Sequence, residues 1–429
     1  MTVVAVDDTD SRERGMCTTY LAARIADRLG ASSPDAVERV LLVRLNPAIE
    51  HKTRGNAALA VHTSVDPDRA YAIAHEELAG SGPAPGGAAF EDPDTHPGLV
   101  VAPGEPADVP DGVARFARDA ARDRHDLDDA LALIDEHGYL AEGWKIGRGR
   151  IGALAAVGAW SAFEDWTYEH IAYREPDRWG TPRDVDHDSV FAAADRGYPD
   201  AWDTVDRAEG EAVCVPHTPG PVLYGIRGDD PEVVRSVAAD IESEPIERTR
   251  TFVTNQGTDA HLREGRVGDL ADGRAYRVSG TVNEAPETKE GGHVFLELAD
   301  GDASIQCAAF EPTKRFRDRV RALRAGDRIT ACGEVSGGTL KLEKFAVREL
   351  RRTERVTPAC PDCGQSMESA GAEQGYRCRD CSTHAGGKAT RTIERDLDVG
   401  WYEVPPCARR HVAKPLVRGG FDGPVHPER

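Results

Sequence analysis

The sequence predicts a multidomain protein of mixed α/β and α+β class, and three observations predict it. At 429 residues the chain is too long for one hydrophobic core. Residues 1–160 alternate short β-branched runs with stretches of helical spacing, whereas residues 270–350 read mostly as strands. Beyond them, four of the nine cysteines fall into two tight pairs.

Taken in order, Thr2–Val6 is a buried strand, and Leu21, Ile25 and Leu29 give a helix over Thr18–Leu29. Val37–Leu45 and Asn56–His62 are further strands. A Gly/Pro-rich loop from Gly80 to about Pro110 precedes helices over Val113–Arg124 and Asp128–Glu136. The stretch GRGRIGALAAVGAW then turns on glycines into an Ala-rich helix. Between residues 161 and 262 the order changes to strand (WTYEHIAYR), helix (DHDSVFAAADRG), strand (AWDTVD), β structure around a Pro/Gly turn (EAVCVP and VLYGIRG), helix (PEVVRSVAADI) and strand (RTRTFVTN). This β-α-β-β-α-β order suggests a ferredoxin-like domain. Over residues 263–352, AYRVSGTVNEAPET, HVFLELADG and ASIQCAAFE form three strands with a hairpin turn at Asp300–Gly301. A basic helix and two more strands follow, which is the order of an OB-fold barrel. Residues 353–429 hold the paired cysteines and a tail.

The net charge of −21 would ordinarily oppose a polyanionic partner. The basic residues are nearly all arginine, however, and this bias together with surplus Asp and Glu fits a halophilic surface in molar salt, where charges are screened within a few ångströms. Local basic clusters therefore decide. Lys314–Arg324, Arg348–Arg355 and Ala408–Lys414 are such clusters, and together they favour contact with nucleic acid over solvated helix faces. No apolar run reaches bilayer length and no leader-like N-terminus is present, so a cytoplasmic location is expected.

Fourteen residues separate the pair Cys360 and Cys363 (CPDC) from the pair Cys378 and Cys381 (CRDC). Two such knuckles put four thiolates in tetrahedral reach of one Zn²⁺, and a site closed by four thiolates is structural rather than catalytic. At the other end, Asp7, Asp8 and Asp10 cluster where the first strand stops. Adjacent carboxylates repel, so either a cation such as Mg²⁺ shares them or they form a solvated turn. Gly147, Gly149 and Gly152 could bring backbone N–H groups to a phosphate at a helix N-terminus, although no P-loop lysine is present. The stretch Asn255–His261 (NQGTDAH) reads equally as a polar ligand contact or a capped turn.

Set side by side, DDTDSRERGMCTTYL, TRGNAALA, GRGRIGALAAVGA, FVTNQGTDAHL, the OB strands, the four-cysteine ribbon and YEVPPCARRHVAKPL resemble the archaeal tRNA(isoleucine) 2-agmatinylcytidine synthetases, essentially from end to end. The resemblance implies a kinase-like domain over 1–160, a ferredoxin-like domain over 161–262, an OB-fold RNA-binding domain over 263–352 and a zinc ribbon with tail over 353–429. It implies that ATP phosphorylates the C2 oxygen of the wobble cytidine of an isoleucine tRNA. Agmatine then displaces the phosphate, and the codon read changes from AUG to AUA. It places Asp7, Asp8 and Asp10 at the nucleotide–metal site, with Thr18 as a residue that is itself phosphorylated. Arg54, Asn56, Gly147, Arg148, Gly149 and Gly152 fall near ATP, and NQGTDAH is a candidate for agmatine. The competing readings are a non-catalytic OB-fold/zinc-ribbon nucleic-acid-binding protein, which leaves the aspartates and the glycine loop unexplained, and a small-molecule kinase with an accessory RNA module.

Overall fold

In the computed structural model, residues 1–10, 16–49, 56–80, 95–410 and 412–429 are described. Arg54 and His411 lie outside them.

The N-terminal half is built on one nine-stranded sheet. In chain order it contributes β1 (Thr2–Asp7), α1 (Thr18–Gly30), β2 (Val37–Arg44), β3 (Ala57–Thr63), α2 (Pro67–Leu78), β4 (Gly98–Pro103), α3 (Asp111–Ala120), α4 (Leu127–Glu136), β5 (Leu140–Gly143) and α5 (Arg150–Ala162). The chain continues with β6 (Thr167–Arg174), α6 (His187–Gly197), β7 (Ala201–Trp202), β8 (Val222–Gly228), α7 (Pro231–Ala239) and β9 (Ile246–Thr254). The strand order is β5-β4-β1-β3-β2-β9-β6-β8-β7. The last four strands, taken alone, run fourth-first-third-second, which is the ferredoxin-like arrangement that the sequence order suggests. They join the first five through parallel pairing of Leu41 and Leu42 with Val253 and Thr254, so the sheet continues unbroken across residue 160.

Both faces of the sheet are covered, and β1 shows how. Val3 and Ala5 pack with α3, α4 and α5, whereas Val4 and Val6 pack with α1 and α2. A strand buried on both sides has no polar alternation, hence the apolar run TVVAV. Although the sequence alternates β and α, β1 is antiparallel to both its neighbours, β3 and β4. Of the elements that depart from expectation, β5 among them, two pack directly on β1. Within the region read as a loop, GLVVAP forms β4 and pairs along all of β1. DPDRAYAIAHEEL forms α2, capped by Asp66, whose carboxylate accepts from the N–H groups of Asp68 and Arg69.

The OB-fold is a closed barrel. After β10 (Leu262–Glu264) come β11 (Arg274–Val282), β12 (Glu287–Thr288), β13 (Val294–Asp300), β14 (Ala303–Ala309), α8 (Phe316–Arg321), β15 (Arg328–Ser336) and β16 (Thr339–Glu349). β11 pairs β13 and β15, β14 pairs β13 and β16, and β15 pairs β16, which closes five strands around Val278, Leu298, Phe316 and Phe345. The basic helix is shorter than expected at both ends: Lys314 has a positive φ of 51° before it, and after Arg321 the chain turns, with the Arg324 N–H donating to Asp327. After a ribbon of short strands over 353–392, the tail returns to the barrel, and Gly400–Glu403 pairs with β16. No described helix is long and apolar enough to cross a membrane.

Candidate functional site

The aspartates end β1 in a cleft of about 310 Å³. Asp7 is the last residue of the strand, and Asp8 turns the chain with a φ of 59° while its N–H donates to Asp7 Oδ1 at 2.7 Å. That turn carries Asp10 to the start of α1. The helix has no side-chain cap from its own N-cap residue, Cys17. Asp10 supplies one from a distance, with Oδ1 accepting the Thr18 N–H at 2.5 Å and the Thr18 hydroxyl at 2.8 Å. The Thr9 hydroxyl in turn donates to Thr18 Oγ1 at 3.0 Å. A carboxylate on the hydroxyl proton of a cleft-lining threonine is the arrangement that lets the oxygen act as a nucleophile.

The other two carboxylates are held under strain of charge. Burial, reinforced by the charge of Asp8, pushes the Asp7 carboxyl well above its ordinary range. Burial also raises Asp8 to about 6, despite Arg148, whose Nε and Nη2 lie 3.0 and 2.8 Å from Asp8 Oδ2. Burial disfavours the charge on two adjacent carboxyls that face one arginine, and a cationic ligand would stabilise their ionised form.

The glycines act by close approach. A Cβ on Gly152 would lie 1.9 Å from Asp7 Oδ2, and one on Gly149 would lie 2.5 Å from both Asp7 O and Gly98 N. Their absence lets the first turn of α5 sit directly on the end of β1. The loop's N–H groups are largely engaged in turns: Gly147 donates to Trp144 O, Gly149 to His96 O and Arg150 to Gly147 O. The phosphate cradle expected from these amides is thus mostly closed, and Arg148 is the group that the loop delivers to the carboxylates.

Of the opposite wall the sequence points to Asn56 alone. It comprises Leu45, Ile49, Asn56 and Ala57 from the β2–β3 connection and Ala120 with Asp123–Leu127 from the α3–α4 loop. Asn56 donates to Asn46 O at 2.9 Å, which pins the connection. His125 lies against Phe116 with ring centroids 4.2 Å apart and the planes tilted by 32°, and its Nε2 is buried without a hydrogen-bond partner. The apolar wall and the carboxylate end give one cleft two characters, suited to a base and to its phosphates.

NQGTDAH lies elsewhere. Asn255 exchanges hydrogen bonds with the backbone of Arg44, Gln256 Oε1 accepts from Arg44 Nε at 2.7 Å, and Asp259 binds Lys344 Nζ at 2.9 Å. Its residues line no part of the cleft, and the stretch is a capped junction between sheet and barrel.

At the far end of the chain the ligand atoms of Cys360, Cys363, Cys378 and Cys381 all lie within 4.8 Å of one another. Gly364 and Ser382 donate to the carbonyls of Cys360 and Cys378, closing two matching knuckles. Zn–S bonds of about 2.3 Å require sulfurs roughly 3.8 Å apart, and Cys363 and Cys378 stand at 3.6 Å, so the set fits zinc. The three aspartates do not form such a ready-made cage among the described residues.

Much of the C-terminal basic charge is spent internally. Arg409 is buried between Asp203 and Glu403, Arg410 binds Glu343, and Arg315 binds Asp206 and Glu428. A polar groove on the barrel keeps Arg277, Arg328 and Arg348 beside Ser279 and Thr330.

Four family profiles match the chain: the TiaS TCKD domain over residues 3–73, the TiaS FLD domain over 147–261, an OB-fold nucleic acid binding domain over 276–342 and the TiaS C-terminal zinc ribbon domain over 357–397. The isoleucine tRNA 2-agmatinylcytidine synthetase TiaS of Haloquadratum walsbyi is 54% identical over the whole of both chains. A solved complex of TiaS with its isoleucine tRNA and ATP superimposes over 100% of this chain and 99% of that one, with a TM-score of 0.88 and 41% identity. A complex of TiaS with the tRNA, AMPCPP and agmatine does so over 100% and 99%, with a TM-score of 0.85 and 39% identity. With its four parts in the same order and its likeness running from end to end, the chain belongs to the isoleucine tRNA 2-agmatinylcytidine synthetase (TiaS) family.

Proposed function

We propose that the cleft at the end of β1 is where this chain carries out the family reaction, the ATP-dependent attachment of agmatine to C2 of the wobble cytidine of an isoleucine tRNA. The observation that carries this reading is the juxtaposition of two carboxyls raised by burial, the Asp10–Thr18 hydrogen bond and Arg148 in one cleft. A non-catalytic nucleic-acid-binding role would leave these unsatisfied charges without a purpose.

The chemistry needs a leaving group, because a carbonyl oxygen departs poorly. Transfer of a phosphoryl group to the C2 oxygen provides one. The agmatine amine nitrogen then bonds to C2, and the oxygen leaves with the phosphate. Arg148 steadies charge on the phosphoryl group in transfer. Asp10 accepts the Thr18 proton, which makes Thr18 the chain's own phosphoryl acceptor. Asp7 and Asp8 would hold Mg²⁺, a hard cation that takes one or two carboxylates and completes its shell with water and phosphates; it would neutralise the triphosphate. Asn56 and the wall at 120–127 frame the base. Residues 1–160, 161–262, 263–352 and 353–429 are the working units, with the barrel and ribbon gripping tRNA and zinc holding the ribbon folded.

The test is incubation of the protein with ATP, agmatine and unmodified isoleucine tRNA at molar salt, followed by mass analysis of the nucleosides. A cytidine gaining agmatine is expected, and its loss in Asp8→Asn assigns the cleft. Incorporation that survives Asp8→Asn would move the metal site elsewhere.

A further inference from the structure

The wall of the cleft is tied to the barrel rather than to its own sheet alone. Asp123, which lines the cleft, is gripped by two arginines from the first strands of the OB-fold. Arg274 Nε and Nη2 lie 3.2 and 2.8 Å from its Oδ1 and Oδ2, and Arg263 Nη2 lies 3.2 Å from Oδ2. Parallel pairing of β10 with β11, Leu262 opposite Ala275 and Arg263 opposite Tyr276, sets the two arginines side by side. Burial works against the Asp123 charge, yet the Arg274 fork holds its carboxyl below the usual range. Three further bonds run the same way. Arg122 Nε donates to Ala260 O at 2.7 Å, His261 Nδ1 meets Ala121 O at 2.7 Å, and Asn46 Nδ2 donates to Gly273 O at 2.9 Å. Asn46 also donates its N–H to Ala120 O at 2.9 Å, joining the two segments of the wall. Every segment of the apolar wall is therefore fastened to residues 260–274.

We infer that Arg263 and Arg274 are positioning residues for the nucleotide cleft, fixing the α3–α4 loop through Asp123 so that the seating of the barrel sets the shape of the wall. This rests on the reading of the cleft as the ATP site. A bidentate guanidinium–carboxylate pair suits the task in molar salt, because its contacts lie within the screening length of about 3 Å at 1 M. The arginines touch neither substrate nor reacting atoms; their effect reaches ATP by way of Asp123 and the His125 ring beside it.

The test uses the full chain at molar salt and compares Asp123→Asn, Arg263→Gln/Arg274→Gln and the triple variant, reading KM for ATP, KM for tRNA, kcat and the unfolding midpoint. Asp123→Asn and the double arginine variant should each raise KM for ATP about tenfold with kcat within about threefold. The triple variant should be no worse than either, because the groups act as one latch. Asp123→Asn removes no positive charge from the barrel, so KM for tRNA should stay put. An unchanged KM for ATP in Asp123→Asn, losses that multiply to about a hundredfold, or a uniform fall in midpoint and all kinetic constants would each overturn the inference. Gly152→Ala separates the underlying reading: if it leaves ATP kinetics untouched, the cleft is not the ATP site and the latch falls with it.

Discussion

Gly152→Ala is the sharpest probe of the cleft, because one methyl group sets two effects against each other. On helix propensity alone, alanine in the first turn of α5 should stabilise the chain by about 1 kcal/mol. The structure decides otherwise. The new Cβ would stand 1.9 Å from Asp7 Oδ2, 2.7 Å from its Cγ and 3.1 Å from its Cβ, all inside contact distance. Turning the carboxylate plane cannot clear Cγ, so either Asp7 changes rotamer or α5 slides off the end of β1. Overpacking of this kind costs about 1–3 kcal/mol, which leaves a net loss of about 0–2 kcal/mol after the propensity gain. Catalysis should suffer more. A displacement of about 1 Å at reacting groups is worth about 100-fold in rate, and relieving a 1.9 Å contact moves Asp7 and α5 apart by about that much. The assay is agmatine incorporation into unmodified isoleucine tRNA, alongside a thermal midpoint at the same salt. A roughly hundredfold fall in kcat/KM with a small change in midpoint is expected. Full activity with a raised midpoint would refute the argument, since Gly152 would then be an ordinary helix glycine.

Asp8→Asn should abolish incorporation while leaving tRNA retention on a filter intact. The raised carboxyl of Asp8 also sets a pH dependence. Lifting it from 3.8 to about 6 makes the fold bind a proton that the unfolded chain has released, so ligand-free stability falls between about pH 4 and 6, by about 3 kcal/mol in total. Divalent-cation affinity should rise as pH passes about 6, and Asp8→Asn should flatten both curves in that window. Cys360→Ser should remove bound zinc, measured by elemental analysis, and weaken tRNA affinity before it affects ATP hydrolysis; the reverse order would exclude the ribbon as a tRNA grip. Arg409→Ala strands Asp203 and Glu403, whose side chains are 3% and 1% exposed, and should cost about 3–5 kcal/mol in denaturant unfolding. A loss below about 1 kcal/mol would mean that the tail is not anchored there.

What can be read without coordinates follows the range of the interactions involved. The zinc knuckles are legible because four ligands sit within twenty-two residues, and β1, α1 and the OB strands because each carries its own periodicity. Asp10 and Thr18 are legible as chemistry, but their hydrogen bond is not, since it crosses a turn whose path the residues do not dictate. GLVVAP is hidden within a Gly/Pro-rich region, although its apolar run pairs with every residue of β1. α2 escapes the periodicity reading even though Asp66-Pro67 is a strong helix start. The glycine loop is legible as a close approach, but the protein groups it lies against, the Asp7 carboxylate and the backbone of Gly98, are not. The wall at Asp123–Leu127 leaves no local signal, because its place in the site comes from arginines about 140 and 151 residues away.

The same asymmetry explains why the site sits at this point of the sheet. β1 is flanked on both sides by antiparallel partners, so the end that carries the aspartates lies beside the β3 start at Ala57 and the β4 start at Gly98. Connections from three directions converge there: the turn to α1, the β2–β3 connection and the glycine loop before α5. From the glycine loop Arg148 reaches the carboxylates and pairs with Asp8. Asp7, pressed against Gly152, keeps a carboxyl that the empty fold would rather protonate. A fold that only had to be stable would place an asparagine or a serine there. Retaining an acid at this position destabilises the empty protein, and a cationic ligand reverses that penalty by stabilising the ionised form; binding free energy is thereby directed to the end of β1, where the phosphoryl group must be held.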